Sequence, residues 1–243
     1  MQLTSAVLEV DGLGREDRAT MFDLMQRNYE NVCRPQFESD LDAKRWVIVV
    51  YSSLGEIVGF STQILLEARV DKMAVLALYS GDTVVDREHW GDPALAHAWG
   101  NFALGLIDGH PEELLYWFLT SKGFRTYHYL PLFFRSFFPR FDRPTPNWER
   151  HIVDVLGANI GGAFYDSSRS IIRASERKDF VRVGLGEPGL RMKSDPHVRF
   201  FVERNPGFER GDELCCLARL SRENFSRVAY RVIQRQSRVS QPA

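Results

Sequence analysis

The sequence predicts one α/β domain, in which strands and helices follow one another along the chain. Three observations support this prediction. Apolar residues recur at helical spacing in residues 15–31, β-branched and aromatic residues form strand-like runs at 46–51 and 57–66, and helical spacing returns at 94–107. The chain has 243 residues, of which 44% are hydrophobic, and this is enough to bury a substantial core.

The N-terminal part predicts a helix followed by a β-hairpin. Ala19, Phe22, Met25 and Tyr29 lie three to four residues apart, as on one face of an amphipathic helix. The runs at 46–51 and 57–66 are separated by a short segment that contains Gly55. Two strand-like runs with a short glycine-containing connection are typical of a hairpin.

Residues 73–85 predict a central strand, because their hydrophobicity is continuous rather than alternating, which favours burial on both faces. Gly81 interrupts this run where a bulge or a close backbone approach is expected. After the strand, Asp92 predicts a helix N-cap and Pro93 a first helical residue. A helix over 94–107 then places four apolar residues on one face: Leu95, Trp99, Phe102 and Leu106.

The remaining chain predicts further elements of both kinds. A buried strand is expected at 113–120, and an aromatic segment at 127–138 is expected to be helical in part and to end at Pro139. The run at 142–147 is rich in proline and marks a break. Beyond it we expect helices at 148–156, 197–203 and 222–235, and strands near 169–174, 180–184 and 213–220.

Composition disfavours several classes of protein. The net charge of −1 gives no overall attraction to nucleic acid or to an anionic membrane. The N-terminal residues do not resemble a secretory signal, and no apolar run is long enough to span a bilayer. Three cysteines, an odd number, suit a reduced compartment, so we expect a cytoplasmic protein. No cluster of Cys and His has zinc-ligand spacing, and we expect no metal.

Two motifs give the chain a resemblance to a known family. The segment at 55–60 combines a turn with an Ile-Val-Gly strand, and the segment at 84–95 combines a strand end, a basic and polar loop with Gly91, and a helix start. Together with the order of elements, these segments resemble the GNAT superfamily of N-acetyltransferases. The resemblance implies a mixed, largely antiparallel central sheet flanked by helices, with a core at 1–141 and a C-terminal part at 142–243 that completes the sheet.

The resemblance also implies an activity and a ligand. Members of the family move an acyl group from acyl-CoA to an amine, and here the acceptor is expected to be a small molecule or a protein. Loop amides and a helix N-terminus hold the diphosphate of the coenzyme. The corresponding residues of this chain are Val84, Val85, Arg87, Trp90, Gly91, Ala94 and Leu95.

The loop departs from the family pattern at Asp92 and Pro93, which add a negative charge and remove one amide donor. An acyl carrier protein is therefore an alternative donor, as in acyl-homoserine lactone synthases and N-acyl amino acid synthases. A faint similarity to these enzymes lies in the residues Arg34, Phe37, Asp40 and Trp46. The alternative for the whole chain is a scaffold that binds or assembles without thioester chemistry.

Three residues are the candidates for catalysis. Asp82 is a candidate general base, although an aspartate in a bulge also bonds to local amides. His89 is a second candidate, because an imidazole can deprotonate an amine or pair with a phosphate, with a solvated loop histidine as the alternative. Tyr127, or its neighbour Tyr129, corresponds to the family's tyrosine acid, while core packing is the alternative for this aromatic segment. The C-terminal part is long enough to cover the active site or to form the interface of a homodimer.

Overall fold

One large sheet and one small sheet organise the chain. The computed structural model describes residues 3–176, 178–182 and 194–235. In chain order the strands are β1 (Thr4–Glu9), β2 (Tyr29–Glu30), β3 (Trp46–Tyr51), β4 (Ile57–Val70), β5 (Met73–Val85), β6 (Leu115–Ser121), β7 (Tyr165–Asp166), β8 (Ile171–Ile172), β9 (Phe180–Val181) and β10 (Glu213–Arg219). Eight of them form a sheet in the order β1-β3-β4-β5-β6-β10-β8-β7, and β2 pairs with β9.

The large sheet is mixed and mostly antiparallel. Strands β5 and β6 are parallel neighbours, and the other pairs described in this sheet are antiparallel. Strands β7, β8 and β10 come from the chain after residue 142 and extend the same sheet beyond β6. The predicted fold class, a largely antiparallel mixed sheet flanked by helices, is confirmed.

Helices cover both faces of this sheet. They are α1 (Arg15–Asn28), α2 (Arg34–Asp42), α3 (Ala94–Gly109), α4 (Phe124–Phe133), α5 (Asn147–Gly161), α6 (Pro196–Arg204) and α7 (Arg227–Arg235). Buried residues of α3, α4, α6 and α7 share one core with one face of the sheet. On the opposite face, α1 and α2 cover β3 and β4, while α5 covers β5, β6 and β10.

The predicted elements of the first half are confirmed, with three additions. The helix, the hairpin, the strand at 73–85 and the helix that begins at Ala94 all occur. Pro93, predicted as the first helical residue, instead takes the N-cap position, and the carboxylate of Asp92 before it accepts the backbone N–H of Ala94 at 2.8 Å. The sequence did not predict the edge strand β1, the strand β2, at which the helix predicted over 15–31 stops, or α2, which buries only Phe37 and Leu41 among its residues.

The second half differs more in its boundaries. The helix predicted at 148–156 extends over Asn147–Gly161, and the two strands predicted at 169–174 and 180–184 shrink to two residues each. Residues 183–184 of the latter prediction lie outside the described residues. The last helix begins at Arg227 rather than at 222, because the Ser226 hydroxyl accepts the amide of Ala229 at 3.1 Å and so caps it.

A bulge interrupts β5 at the glycine that the sequence marked. Ser61 of β4 lies opposite Thr83, but Gln63 lies opposite Ser80, so Thr62 faces two residues of β5, Gly81 and Asp82. A Cβ atom on Gly81 would lie 2.7 Å from the Thr62 hydroxyl and 2.8 Å from Cε of Lys44. Only a glycine fits this close approach, and the predicted bulge is confirmed.

Buried polar side chains hold the strands together beside this bulge. The Trp117 indole donates to the Ser80 hydroxyl at 2.8 Å, and that hydroxyl donates to the Gln63 side-chain oxygen at 2.6 Å. The Gln63 amide donates to Ser61 at 2.8 Å, and Ser61 bonds to Thr83 at 2.7 Å. Gln63 has no solvent exposure. We call these five residues the polar chain; it connects β4, β5 and β6 on both sides of the bulge.

Replacing Gln63 tests the importance of the polar chain for stability. A Gln63→Leu variant leaves the Ser61 and Ser80 hydroxyls without their shared partner in a buried position. We expect the free energy of unfolding to fall by about 1–3 kcal/mol per group left unsatisfied. Urea denaturation measures this change. The control is Gln36→Leu on exposed α2, where a loss of no more than about 0.5 kcal/mol is expected; equal losses in the two variants would contradict the prediction.

Candidate functional site

The large sheet opens where β5 and β6 stop pairing. The two strands are neighbours from Leu76, opposite Leu115, to Ser80, opposite Leu119. Beyond Ser80 they form no further pairs within the described chain, although β5 continues to Val85. A cavity of about 600 Å³ lies in this opening, with residues 81–85 on one side and Thr120 and residues 122–126 on the other. We call it the cleft.

Asp82 lies at the bulge and lines the cleft. Its surroundings are mostly protein, and this burial raises the pKa of the Asp82 carboxyl above its ordinary value, while the ammonium of Lys122 opposes the rise. The side chain is nevertheless partly accessible to solvent. A carboxyl with a raised pKa in an accessible cavity can accept a proton from a substrate.

A buried lysine with two acidic partners forms the floor of the cleft. The Lys122 ammonium lies 2.5 Å from a carboxylate oxygen of Asp179 and 3.9 Å from one of Glu213. Lys178 lies 3.4 Å from the other oxygen of Glu213, and the Thr120 hydroxyl donates to Glu213 at 3.3 Å. We call Lys122, Lys178, Asp179 and Glu213 the ionic cluster. It joins the end of β6, the start of β10 and residues 178–182.

The charges of the ionic cluster stabilise one another. Burial opposes the charge of Lys122, but Glu213 and Asp179 outweigh it and raise its pKa. Burial likewise opposes the charge of Asp179, and Lys122 holds the pKa of Asp179 below its usual range. The Lys122 ammonium also lies 5.4 Å from the centre of the Tyr29 ring, where burial raises the pKa of the phenol to about 12. Lys122 is thus a fixed cation and a poor nucleophile.

The loop after β5 is folded onto itself. It contains a 3-10 turn at Arg87–His89 and then Gly91, whose φ of 93° belongs to the left-handed region. The Trp90 indole donates to the carbonyl of Val85 at 2.9 Å and fixes the ring at the mouth of the cleft. The Arg125 guanidinium lies over this ring, 4.2 Å from its centre.

The structure brings most of the predicted site residues together. Those that line the cleft are Asp82, Val84, Val85, His89, Trp90, Gly91 and Leu95. Arg87 and Ala94 belong to the same loop and helix start but do not line the cavity itself. The sequence did not single out Lys122, Asp179 or Glu213. Lys122 could have been found in the sequence as the charged residue that follows the apolar run of β6.

The two candidate tyrosines lie in different environments. Tyr127 is buried, its hydroxyl donates to the Pro139 carbonyl at 2.9 Å, and it is not among the residues that line the cleft. Tyr129 lines the cleft. Burial raises the pKa of the Tyr129 phenol, so its hydroxyl stays protonated at neutral pH. Of the two, Tyr129 is positioned to exchange a proton with a ligand in the cleft.

A smaller apolar cavity adjoins the cleft on the side of α3 and α4. Its volume is about 40 Å³, and it shares Gly81, Thr83, Leu95 and Tyr129 with the cleft. The rest of its lining is mainly large and apolar and includes Trp99, Trp117, Leu119 and Phe133. This space suits a small apolar group that enters from the cleft.

Comparison with known proteins gives structural neighbours but no sequence relatives. No family model matches the chain, and no curated protein matches it. A conserved Enterococcus faecalis protein described as a probable N-acyltransferase is 14% identical, with a TM-score of 0.41 over 55% of this chain; the match spans 33% of that protein. A GNAT-family N-acetyltransferase from Escherichia coli, solved in complex with CoA, is 12% identical, with a TM-score of 0.39 over 55% of this chain and 70% of that one.

A third solved structure is glucosamine-6-phosphate N-acetyltransferase from Arabidopsis thaliana. It is 13% identical, with a TM-score of 0.39 over 60% of this chain and the whole of that one. The finer similarity to acyl-homoserine lactone synthases stays a prediction. Identities and TM-scores this low cannot transfer an activity, so the function has to be inferred from the residues of the site.

Two further observations concern the described residues as a whole. None of their helices is both long enough and apolar enough to cross a membrane. Within the same residues, no group of three or more His, Cys, Asp or Glu side chains is arranged to hold a metal ion.

A Lys122→Met variant tests the ionic cluster. It leaves Asp179 and Glu213 without their shared cation, and we expect the free energy of unfolding at pH 7 to fall by about 3–5 kcal/mol. Because Lys122 lowers the pKa of Asp179, the stabilisation is present above the ordinary carboxyl pKa and is lost as the pH falls through the lowered value. The deficit should therefore shrink near pH 3.

Urea denaturation at the two pH values measures both effects. Lys72→Met is the control, since Lys72 is exposed, and we expect it to change the stability by no more than about 0.5 kcal/mol. A deficit in Lys122→Met that does not depend on pH would show that the lysine contributes by packing rather than by charge.

Proposed function

We propose that this protein is an N-acyltransferase that moves an acyl group from a thioester to the amine of a small molecule or a protein. One observation carries the proposal. The cleft combines an unpaired strand edge, a carboxyl with a raised pKa at Asp82 and a protonated phenol at Tyr129. These are the groups that acyl transfer to an amine requires.

The strand edge supplies a place for the thioester. Residues 81–85 of β5 face the cleft without a partner strand on the β6 side, among the residues described. Backbone amides on such an edge can pair with the amides of a pantetheine arm, as one strand pairs with another. An N–H group of this edge that reaches the thioester carbonyl would stabilise the negative charge that forms there. The adjoining apolar cavity would hold the acyl group.

Two side chains would move the protons. The acceptor arrives as an ammonium, and Asp82 accepts one of its protons, so that the free amine attacks the carbonyl carbon of the thioester. The C–N bond forms, the C–S bond breaks, the nitrogen of the new amide releases its extra proton to solvent, and Tyr129 donates its own proton to the departing thiolate. The thiol and the amide leave, and the proton held by Asp82 returns to Tyr129 through solvent. The ionic cluster keeps Asp82 and the strand ends in place.

The donor in this proposal is acyl-CoA or an acyl carrier protein, both of which present the acyl group on a phosphopantetheine arm. The acceptor amine enters past Ile160 and Phe164, two exposed apolar side chains of the C-terminal part that line the cleft. An acceptor with an apolar body suits these contacts.

A second candidate function is a scaffold that binds without catalysis. It is favoured by the loop after β5, in which the carboxylate of Asp92 occupies the first amide of α3. If the loop admits no anionic donor, the cleft would serve for binding alone. Release of free thiol from an S-acetyl donor, with a panel of primary amines as acceptors, separates the two functions.

Replacing Asp82 tests the general base. Asp82→Asn keeps the shape of the side chain but cannot accept the proton, so we expect kcat to fall by about 10²- to 10⁴-fold. In the unmodified protein, kcat/KM should rise with pH through the raised pKa of Asp82, and the variant should lose this limb of the profile. Thiol release against pH measures both effects. Asp71→Asn is the control on the exposed surface; an unchanged pH profile in Asp82→Asn would exclude this role.

The two tyrosines make a second, matched test. Tyr129→Phe removes the proposed acid, and we expect at least about a 10²-fold lower kcat with an S-alkyl thioester. A thioester of thiophenol should abolish this deficit, because that leaving group departs without a proton. Tyr127→Phe should cost about 1 kcal/mol of stability through its lost bond to Pro139 and leave the rate unchanged. The reverse pattern would assign the acid to Tyr127.

A further inference from the structure

We infer that the donor is a phosphopantetheine thioester rather than a nucleoside diphosphate such as coenzyme A. The single phosphate of this donor is held by the guanidinium groups of Arg87 and Arg125 beside Trp90. This inference rests on the proposed function. It concerns the loop at the mouth of the cleft, where a donor would place its charged end.

The backbone of this loop has few free donors for a diphosphate. Amides that already donate to oxygen atoms within the loop, at N···O distances of 2.8–3.3 Å, are those of Glu88, His89, Trp90, Asp92 and Ala94. An anion that used these groups would have to break the internal bonds of the 3-10 turn and of the helix cap. An anion site made of backbone groups needs N–H groups that point outward and have no hydrogen-bond partner.

The start of α3 also carries the wrong charge for a diphosphate. The carboxylate of Asp92 caps Ala94 at 2.8 Å, so a negative charge already occupies the positive end of the helix dipole. Pro93, the next residue, has no N–H group to offer. A second phosphate placed here would meet repulsion from this carboxylate.

The side chains at the mouth of the cleft provide the free hydrogen-bond donors that the loop backbone lacks. Arg125 lines the cleft from the first turn of α4, with its guanidinium 4.2 Å from the Trp90 ring centre and 5.3 Å from that of Phe124. Trp90 is itself fixed by its bond to Val85. This stacking orients the guanidinium while leaving its N–H groups free to bind, as phosphate recognition requires.

Arg87, in the 3-10 turn of the loop, adds a second positive charge near Arg125. Burial lowers the pKa of Arg125, and the nearby charge of Arg87 lowers it further, so the two cations repel each other. Neither arginine forms an ion pair or a side-chain hydrogen bond with a described residue. One phosphate between them would relieve the repulsion and satisfy both groups.

The test compares three donors that differ only in their charged end. The donors are S-acetyl pantetheine, S-acetyl 4′-phosphopantetheine and acetyl-CoA, titrated calorimetrically into the full-length protein. We expect the first phosphate to tighten binding by about tenfold or more, as charge-assisted bonds to arginine do. The remainder of coenzyme A should change the affinity by less than about threefold.

Variants connect this difference to named residues. Arg87→Gln and Arg125→Gln should each remove most of the gain from the phosphate, without changing the affinity for S-acetyl pantetheine. Arg15→Gln, on exposed α1, is the control and should keep the gain. Asp92→Asn keeps a capping oxygen but removes the charge, and it should shift the preference toward acetyl-CoA.

The outcomes separate this inference from the proposed function. Acetyl-CoA binding more than tenfold tighter than the phosphopantetheine thioester, or a phosphate gain that survives both arginine variants, would overturn the inference and leave acyl transfer standing. Failure of all three donors to bind would overturn both. A further titration with an acyl carrier protein identifies the source of the arm, since tighter binding than that of the free arm indicates a protein-borne donor.

Discussion

The bulge at Gly81 and Asp82, held by the polar chain around Gln63, is the constraint on which the site depends. Beside this bulge, β5 stops pairing with β6 after Ser80, and the sheet opens into the cleft. The extra residue breaks the register with β4, aims Asp82 into the opening and leaves the strand edge of residues 81–85 unpaired. The buried hydrogen bonds from Trp117 to Thr83 hold this irregular geometry in one conformation.

Charged side chains are the second feature that shapes the cleft. The C-terminal part of the chain closes one side of the opening between β5 and β6. It does so through the ionic cluster, in which Lys122 pairs with Asp179 and Glu213. Burial raises the pKa of the Asp82 carboxyl, while Lys122, which also pairs with Asp179 and Glu213, opposes the rise. At the mouth of the cleft, the guanidinium groups of Arg87 and Arg125 form no ion pair with an acidic residue of the described chain.

The sequence predicts the parts of this arrangement that depend on local patterns. Gly81 breaks an apolar run, and Asp92 with Pro93 marks a helix start, so the bulge and α3 were both predictable. The edge strand β1 and the short helix α2 bury too few residues to give a periodic signal. Lys122, Asp179 and Glu213 come together only because β10 pairs with β6 and residues 178–182 fold back over both. Such contacts between distant segments leave no pattern in a single sequence, and the same holds for the choice between Tyr127 and Tyr129.

Acyl transfer in this cleft depends on binding of the thioester arm along the unpaired edge of β5. Hydrogen exchange of the backbone amides, with and without a saturating non-hydrolysable analogue of S-acetyl pantetheine, tests this binding. We expect slower exchange at residues 81–85 and at Thr120 and Ser121, with no change in α1. Binding that leaves residues 81–85 unprotected, or that protects another surface instead, would contradict this expectation.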